Sequence, residues 1–254
     1  MKCLNSLAEL KSFRSALDGT VGFVPTMGAL HQGHLSLVER SLAECDHTLV
    51  SIYVNPTQFN NANDLENYPD TLEADLASLA GKADGVFLPT YGLLYPDDFD
   101  YRLDETGFSN RLCGENRPGH FTGVLTVVMK LLNLMKPDRA YFGEKDYQQL
   151  KLVRGMVETF FLETEIVGCP IIREPDGLAM SSRNLNLIPA DRSLSPRFHQ
   201  ILVSATDDAA ARRSLQDAGF EVDYVETIDG RRFGAVLMGT LEKPVRLIDN
   251  VPLT

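Results

Sequence analysis

Two histidines flank a glycine in the stretch Met27-Gly28-Ala29-Leu30-His31-Gln32-Gly33-His34. Ahead of it, Val21-Gly22-Phe23-Val24 has the composition of a buried strand. Behind it, Leu35, Val38 and Leu42 fall at the i, i+3, i+7 spacing of one helix face. A strand, a glycine-containing turn and a helix in that order make a place for phosphate. The first helical turn leaves N–H groups without intrahelical partners, and the helix dipole favours negative charge there. The two imidazoles add hydrogen-bond donors at the same spot. The stretch has neither the Gly-x-Gly-x-x-Gly of dinucleotide folds nor the Gly-Lys-Ser/Thr of a Walker loop.

Further segments carry polar chemistry. Asn55-Pro56-Thr57-Gln58 follows directly on residues 48–54, a β-branched and aromatic run that reads as a strand. Two readings of Asn55 and Gln58 stand side by side: recognition of a polar ligand beyond a strand's carboxyl end, and plain turn chemistry around a proline. Gly143-Glu144-Lys145-Asp146 ends a strand at 138–142 and leads into Gln148 and Gln149. Met180-Ser181-Ser182-Arg183 closes a loop that follows Ile171-Ile172-Arg173. Arg117 and His120, at the entry to an apolar helix, offer one more anion contact. Glu73 and Asp75 lie on a helix, where most carboxylates are simply solvated.

Imidazoles, amides, a lysine, an arginine and two hydroxyls suit a triphosphate, whose oxygens take point charges and donors. The chain has no nucleophile-elbow serine triad and no zinc-ligand spacing, which favours nucleotidyl transfer over hydrolysis by a protein nucleophile.

These residues need a frame that brings several strand ends to one side. Short runs rich in apolar residues, β-branched and aromatic at 48–54, predict strands at 21–25, 48–54, 85–89, 138–142 and 164–169. Helical stripes predict helices at 5–18, 34–45, 70–80, 124–135 and 146–159. That alternation predicts an α/β fold, a Rossmann-like doubly wound parallel sheet. A Pro- and Asp-rich loop at 91–101 and short extended pieces at 101–105 and 108–112 interrupt it. Beyond about residue 184 the rhythm changes. A helical, Ala/Arg-rich span at 193–218 and three short strands at 221–228, 232–238 and 245–248 predict a small α+β C-terminal domain. The expected division is a nucleotide-binding domain at 1–175 and a small lid domain at 176–254.

Composition bounds the function classes. A chain of 254 residues, 44% hydrophobic and 23% charged, is that of a globular protein with a sizeable core. The formal net charge of −11 argues against nucleic acid as a partner, because a duplex binder needs a basic face to displace counterions. Local cations can still make a pocket for a small anion. The longest apolar stretch, Val124 to Met135, is broken by Lys130 and Asn133 and is too short to cross a membrane. Four scattered cysteines and an N-terminus without a signal-peptide core fit a reducing cytoplasm.

The motifs together resemble the pantoate–β-alanine ligase family, within the wider His-x-Gly-His nucleotidylyltransferase superfamily. The likeness rests on residues 25–34, 54–59, 117–124, Phe142-Gly143-Glu144-Lys145-Asp146-Tyr147-Gln148-Gln149, residues 176–184 with Met180-Ser181-Ser182-Arg183-Asn184, and Arg246-Leu247-Ile248-Asp249-Asn250. It covers nearly the whole chain in unbroken order. The resemblance implies an ATP-dependent ligation: pantoate attacks the α-phosphate to give pantoyl adenylate and pyrophosphate, and β-alanine then displaces AMP to give pantothenate. It implies ATP along Met27 to His34 (Met27, Gly28, Ala29, Leu30, His31, Gln32, Gly33, His34), Gly143 to Asp146, Ile172 and Met180 to Arg183. It implies catalytic duty for His31, His34, Lys145 and Arg183, and substrate binding by Gln58, Gln149 and Asn55, with pantoate at Gln58 and Gln149 and β-alanine also near Gln58. Such families label the second histidine, here His34, a proton donor; hydrogen-bond donation alone is equally consistent.

Where the family often has adjacent acidic residues for Mg²⁺, this chain has Ala74-Asp75, which leaves Asp75 as the metal candidate. The C-terminal part is short around 190–212 and near Asp229-Gly230, a trimmed lid. The family habit is a homodimer, with 52–54 and 124–135 as candidate surfaces. Two other readings compete: a plain nucleotidylyltransferase that stops at an adenylate, and a catalytically silent nucleotide-binding module.

Overall fold

The computed structural model describes residues 1–240 and 243–253. They form two compact units. The first comprises Met1–Glu144 and Gln148–Cys169, the second Lys145–Tyr147 and Pro170–Thr254.

In chain order the first unit runs β1 (Lys2–Leu4), α1 (Leu7–Ser15), β2 (Val21–Thr26), α2 (Gln32–Glu44), β3 (His47–Ile52), α3 (Ala62–Glu66), α4 (Leu72–Leu79), β4 (Gly85–Phe87), α5 (Tyr91–Leu94), α6 (Cys113–Asn116), α7 (His120–Met135), β5 (Arg139–Gly143), α8 (Tyr147–Thr159) and β6 (Glu165–Cys169). The six strands pair in the order β1-β4-β3-β2-β5-β6, all parallel. Strand order therefore reverses between β2 and β5. That is the switch point beside which ligands sit in doubly wound sheets, beyond the strands' carboxyl ends. Val24, Val38, Val50, Leu79 and Val86 fill one core layer around these strands.

The five expected parallel strands are present. Edge strand β1 is an addition: three residues carry no periodicity, and only the pairing of Lys2–Leu4 with Gly85–Phe87 defines it. The extended pieces expected at 101–105 and 108–112 are not strands. Phe108–Asn110 is a 3₁₀ turn instead, held by the Glu105 carboxylate, which accepts from the Gly107, Phe108 and Ser109 amides. Helix α7 begins a turn earlier than its apolar stripe, because Gly119 adopts a left-handed φ of 80° as its cap. Within the single chain the two candidate dimer surfaces are largely covered, with Ile52 and Val54 half-buried. Residues 52–54 continue from an inner strand, and most of α7's sixteen residues are buried.

The second unit holds α9 (Pro189–Leu194), α10 (Pro196–Ser204), α11 (Asp208–Asp217) and an antiparallel sheet β7-β8-β9 (Glu221–Ile228, Arg231–Thr240, Lys243–Pro252). The single helical span expected at 193–218 is broken by Pro196 and by Asp207, whose carboxylate caps α11 through the Ala210 amide. Phe198, Leu202, Ala211, Leu215, Phe220, Val236 and Leu247 form its core. Arg232, 2% exposed, reaches from β8 to the Leu202 and Ala205 carbonyls and to Asp208, so a buried cation closes the C-terminal end of α10.

Candidate active site

In the first unit, β2, β3 and β5 deliver Met27–His34, Asn55–Gln58 and Gly143–Glu144 at their carboxyl ends. The turn after β2 is tight. Gly28 and Ala29 take left-handed φ values of 83° and 50°. The second is unfavourable for a residue with a Cβ, costing roughly 1–2 kcal/mol. What holds it is Asp75. This carboxylate is 3% exposed and accepts from the Ala29 amide (2.9 Å), the Leu30 amide (2.8 Å) and Thr71 Oγ1 (3.1 Å).

Two sequence expectations change as a result. The Ala29 and Leu30 N–H groups donate to Asp75, so a contact of this turn with ATP would run through other atoms than these two amides. Asp75, expected as a metal candidate, has both oxygens occupied by the turn it anchors. No group of three or more His, Cys, Asp or Glu side chains comes together among the described residues. The residues present do not fit a Mg²⁺ held at Asp75.

His31 is the N-cap of α2. Its Nδ1 accepts from the Gly33 amide (3.1 Å), while Nδ1 of His34 accepts from the His31 amide (3.4 Å). The two side chains thus form a reciprocal cap, with ring centroids 4.1 Å apart. A ring nitrogen that accepts a hydrogen bond carries no proton, so each neutral imidazole bears its hydrogen on Nε2. The backbone sets both histidines as Nε2–H donors.

Beyond β3, Asn55 is 1% exposed and its amide is fully used. Nδ2 donates to the Gly123 carbonyl (3.3 Å) and to Gln58 Oε1 (3.0 Å), and Oδ1 accepts from the hydroxyls of Tyr95 (2.9 Å) and Thr57 (3.0 Å). The direct substrate contact expected of Asn55 gives way to a supporting one, since no donor or acceptor is left over. Burial pushes the Tyr95 phenol above its ordinary value, so its hydroxyl keeps the proton at neutral pH. Gln58 Nε2 donates only to the weak acceptor Met27 Sδ (3.1 Å).

The Gln58 carbonyl accepts from His120 Nδ1 (2.8 Å) and Arg117 (3.3 Å), so the pair expected to meet an anion instead fixes this turn. Gly123 permits the close approach of α7, because a Cβ there would lie 2.4 Å from the Thr57 carbonyl oxygen. Tyr95 was not anticipated, since it stands in no motif or periodic stripe; Gly123 belongs to the 117–124 motif, which does not reveal its contact with residues 57–58.

At the tip of β5 and the start of α8 the two glutamines part. Gln148 is buried and ties the Phe108 and Arg111 carbonyls and the Cys113 amide, a structural role. Gln149 is half-buried. The four cysteines form no disulfide among the described residues, and burial pushes the Cys169 thiol up to about 11, far from a nucleophile's range.

In the second unit, the Lys145 carbonyl accepts from Asn250 Nδ2 (3.0 Å), and Lys145 Nζ lies 3.6 Å from Asp146. Arg231 stacks over the Tyr147 ring at 3.9 Å. The loop bearing Met180–Arg183 is firmly built. The Met180 amide donates to the Ile172 carbonyl, and Ser181 caps the 3₁₀ helix Ser182–Asn186 by accepting from the Arg183 amide. At the loop's root, Arg173 forks onto Asp249 (2.7 and 2.9 Å), which also accepts from His199 Nδ1 (3.0 Å). Arg192 bridges Glu174 and Asp176, and Asn184 Nδ2 donates to Glu174 and to the Ala179 carbonyl. Arg173 and Asp249 stand in segments already named, but nothing in the sequence joins them to each other or to His199, because the three lie far apart along the chain.

Comparison with known proteins places this frame. The pantoate-beta-alanine ligase family profile matches residues 2–252. The chain is 49% identical over 251 residues to the pantothenate synthetase of Bdellovibrio bacteriovorus, covering 98% of each. It is 50% identical over 253 residues to that of Coxiella burnetii, covering 99% of this chain and 96% of the relative. The crystal structure of the Francisella tularensis pantoate-beta-alanine ligase, complexed with beta-gamma ATP and beta-alanine, superimposes with a TM-score of 0.93 at 41% identity, over 99% of this chain and 97% of that one. The Thermus thermophilus pantothenate synthetase follows at a TM-score of 0.89 and 40% identity, over 99% of both chains. With its full length matched in sequence and in fold, the chain belongs to the pantoate–β-alanine ligase family.

Proposed function

We infer that this chain condenses pantoate with β-alanine at the expense of ATP, through a pantoyl adenylate, releasing pyrophosphate, AMP and pantothenate. The observation that carries this is the family match over residues 2–252, with His31, His34, Lys145 and Arg183 all in place. The protein is thereby an AMP-forming acid–amine ligase of pantothenate biosynthesis. We assign ATP to residues 27–34, Gly143 and Glu144 in the first unit, and to Lys145, Asp146, Ile172 and Met180–Arg183 in the second.

The chemistry fits these residue types. Pantoate's carboxyl is ionised at neutral pH, since such groups titrate near ~4. Attack on the α-phosphate therefore needs no general base. It needs in-line alignment and stabilisation of charge on the α-phosphate and departing pyrophosphate. His31 and His34, set as Nε2–H donors, suit that task without a formal proton transfer. Lys145, Ser182 and Arg183 add charge and donors. Removing one such preorganised donor costs roughly 3–4 kcal/mol of barrier.

Gln58 and Gln149 are assigned to pantoate, whose hydroxyls and carboxylate take amide donors. Mg²⁺ would enter with the nucleotide and supply countercharge to its phosphates. A cytoplasmic homodimer completes the proposal. The absence of disulfides among the described residues supports the first part, and family habit supports the second.

Pyrophosphate exchange into ATP tests the reading. Exchange that requires pantoate, and pantothenate that forms only when β-alanine is added, are the expected results. Exchange without pantothenate would reduce the protein to a nucleotidylyltransferase. Neither signal, with Mg²⁺ and ATP present, would overturn the ligase.

A further inference from the structure

The Gly123 carbonyl dictates the orientation of an amide two steps away. A carbonyl oxygen only accepts, so the Asn55 atom facing it is Nδ2 (3.3 Å). That leaves Oδ1 for the Tyr95 hydroxyl at 2.9 Å. Nδ2 also faces Gln58 at 3.0 Å, so the Gln58 atom there must be Oε1. Gln58 is left with Nε2 as its outward group, resting on Met27 Sδ, a weak acceptor that a ligand oxygen would readily replace. All of these residues lie within the first unit.

We propose that Tyr95 is a positioning residue for the ligation: through Asn55 it holds the Gln58 amide with Nε2 outward, so that Gln58 acts as a donor to an oxygen of the acid substrate. The proposal rests on the reading that Gln58 receives pantoate. Without the Tyr95 hydroxyl, Asn55 Oδ1 keeps only Thr57 and the Gly123 carbonyl alone opposes a flip of the amide pair, so the arrangement that presents Oε1 becomes more populated. An outward Oε1 would face a carboxylate with a lone pair and repel it.

Tyr95→Phe isolates this role. The ring stays, with its edge contact to Phe99 (centroids 5.4 Å apart) and the Lys130 ammonium over its face at 4.5 Å, so the fold is retained. The expected result is a roughly three- to tenfold rise in KM for pantoate, the effect of one hydrogen bond, with KM for ATP unchanged. In a Gln58→Ala background the same substitution should add nothing, because the relay has no terminus to orient; a merely structural role would add its full effect there. An unchanged pantoate KM in Tyr95→Phe, or an equal effect in both backgrounds, overturns the proposal while leaving the pantoate assignment standing. An unchanged pantoate KM in Gln58→Ala alone overturns that assignment, and the relay's purpose with it.

Discussion

The Asp75 carboxylate accepts the Ala29 amide at 2.9 Å across 46 residues of sequence, and so clamps the turn that aims both catalytic-candidate histidines. Ala29 sits at a φ of 50° and Gly28 at 83°, conformations the chain would leave if released. Asp75→Ala leaves the Ala29 and Leu30 amides without acceptors in a buried place. Each such loss costs about 1–3 kcal/mol, so urea unfolding should show a stability loss of at least ~2 kcal/mol. Asp75→Asn keeps the size but turns one acceptor into a donor facing an N–H, and should lower adenylate formation with a near-native fold. Excess Mg²⁺ should not restore either variant. Recovery at high Mg²⁺ would make Asp75 a metal ligand after all.

His34→Ala tests the donor pair directly. The ring caps the His31 amide and packs on the His31 ring at 4.1 Å, so a modest stability loss accompanies the change. Pantoate-dependent pyrophosphate exchange should fall roughly 10²–10³-fold, while far-UV circular dichroism stays that of the parent. Wild-type exchange would remove His34 from the reaction. His34→Gln, which can offer an N–H but cannot protonate, separates the two roles left open for this residue. Substantial retained exchange favours hydrogen-bond donation over proton donation.

How much of this was legible in the sequence follows from range. Strands β2 through β6 announce themselves as short runs rich in apolar residues that alternate with helical stripes, and their order along the chain suffices for a doubly wound sheet. His31, Gly33 and His34 lie within one turn, so their proximity is local. Asn55 and Gln58 were readable as a pair, but not which of them faces outward. That depends on Tyr95 and Gly123, 40 and 68 residues from Asn55. Asp75 looked like any helix carboxylate, because nothing near it in sequence reveals the two amides it holds. Arg117 and His120 misled for the same reason. Their charge suggested an anion, and their partner is a backbone carbonyl about 60 residues away (separations of 59 and 62).

Gly123→Ala should disturb the same turn from the helix side. The added methyl would lie 2.4 Å from the Thr57 oxygen and 2.7 Å from the Gln58 nitrogen, both backbone atoms with little freedom to yield. Crowding of this kind costs about 1–3 kcal/mol, against a gain of only ~1 kcal/mol from alanine's helix propensity. Thermal melting should show a net loss, and pantoate KM should rise more than ATP KM. A stabilised variant with parental kinetics would mean that α7 and the Asn55–Gln58 turn separate without consequence.

Asp249 gives the second unit an acid limit. Burial alone would push its carboxyl up, but hydrogen bonds and charge from His199 and Arg173 outweigh it and hold the group below its ordinary value. A depressed folded-state value means that the unfolded chain takes up the proton first as pH falls. The stabilisation is whole above the unfolded value of about 4 and is lost as pH falls through the folded one. Asp249→Asn should therefore lose stability at neutral pH, by about 1–3 kcal/mol, because Arg173 loses its carboxylate partner while its half-buried side chain keeps the Gly177 carbonyl. Its stability should then vary less than the parent's between pH 5 and 2. The same substitution frees Arg173, which also donates to the Gly177 carbonyl in the loop leading to Ser181–Arg183, so ATP KM should rise. Parallel pH–stability curves for parent and variant would show that the cluster carries no linked proton.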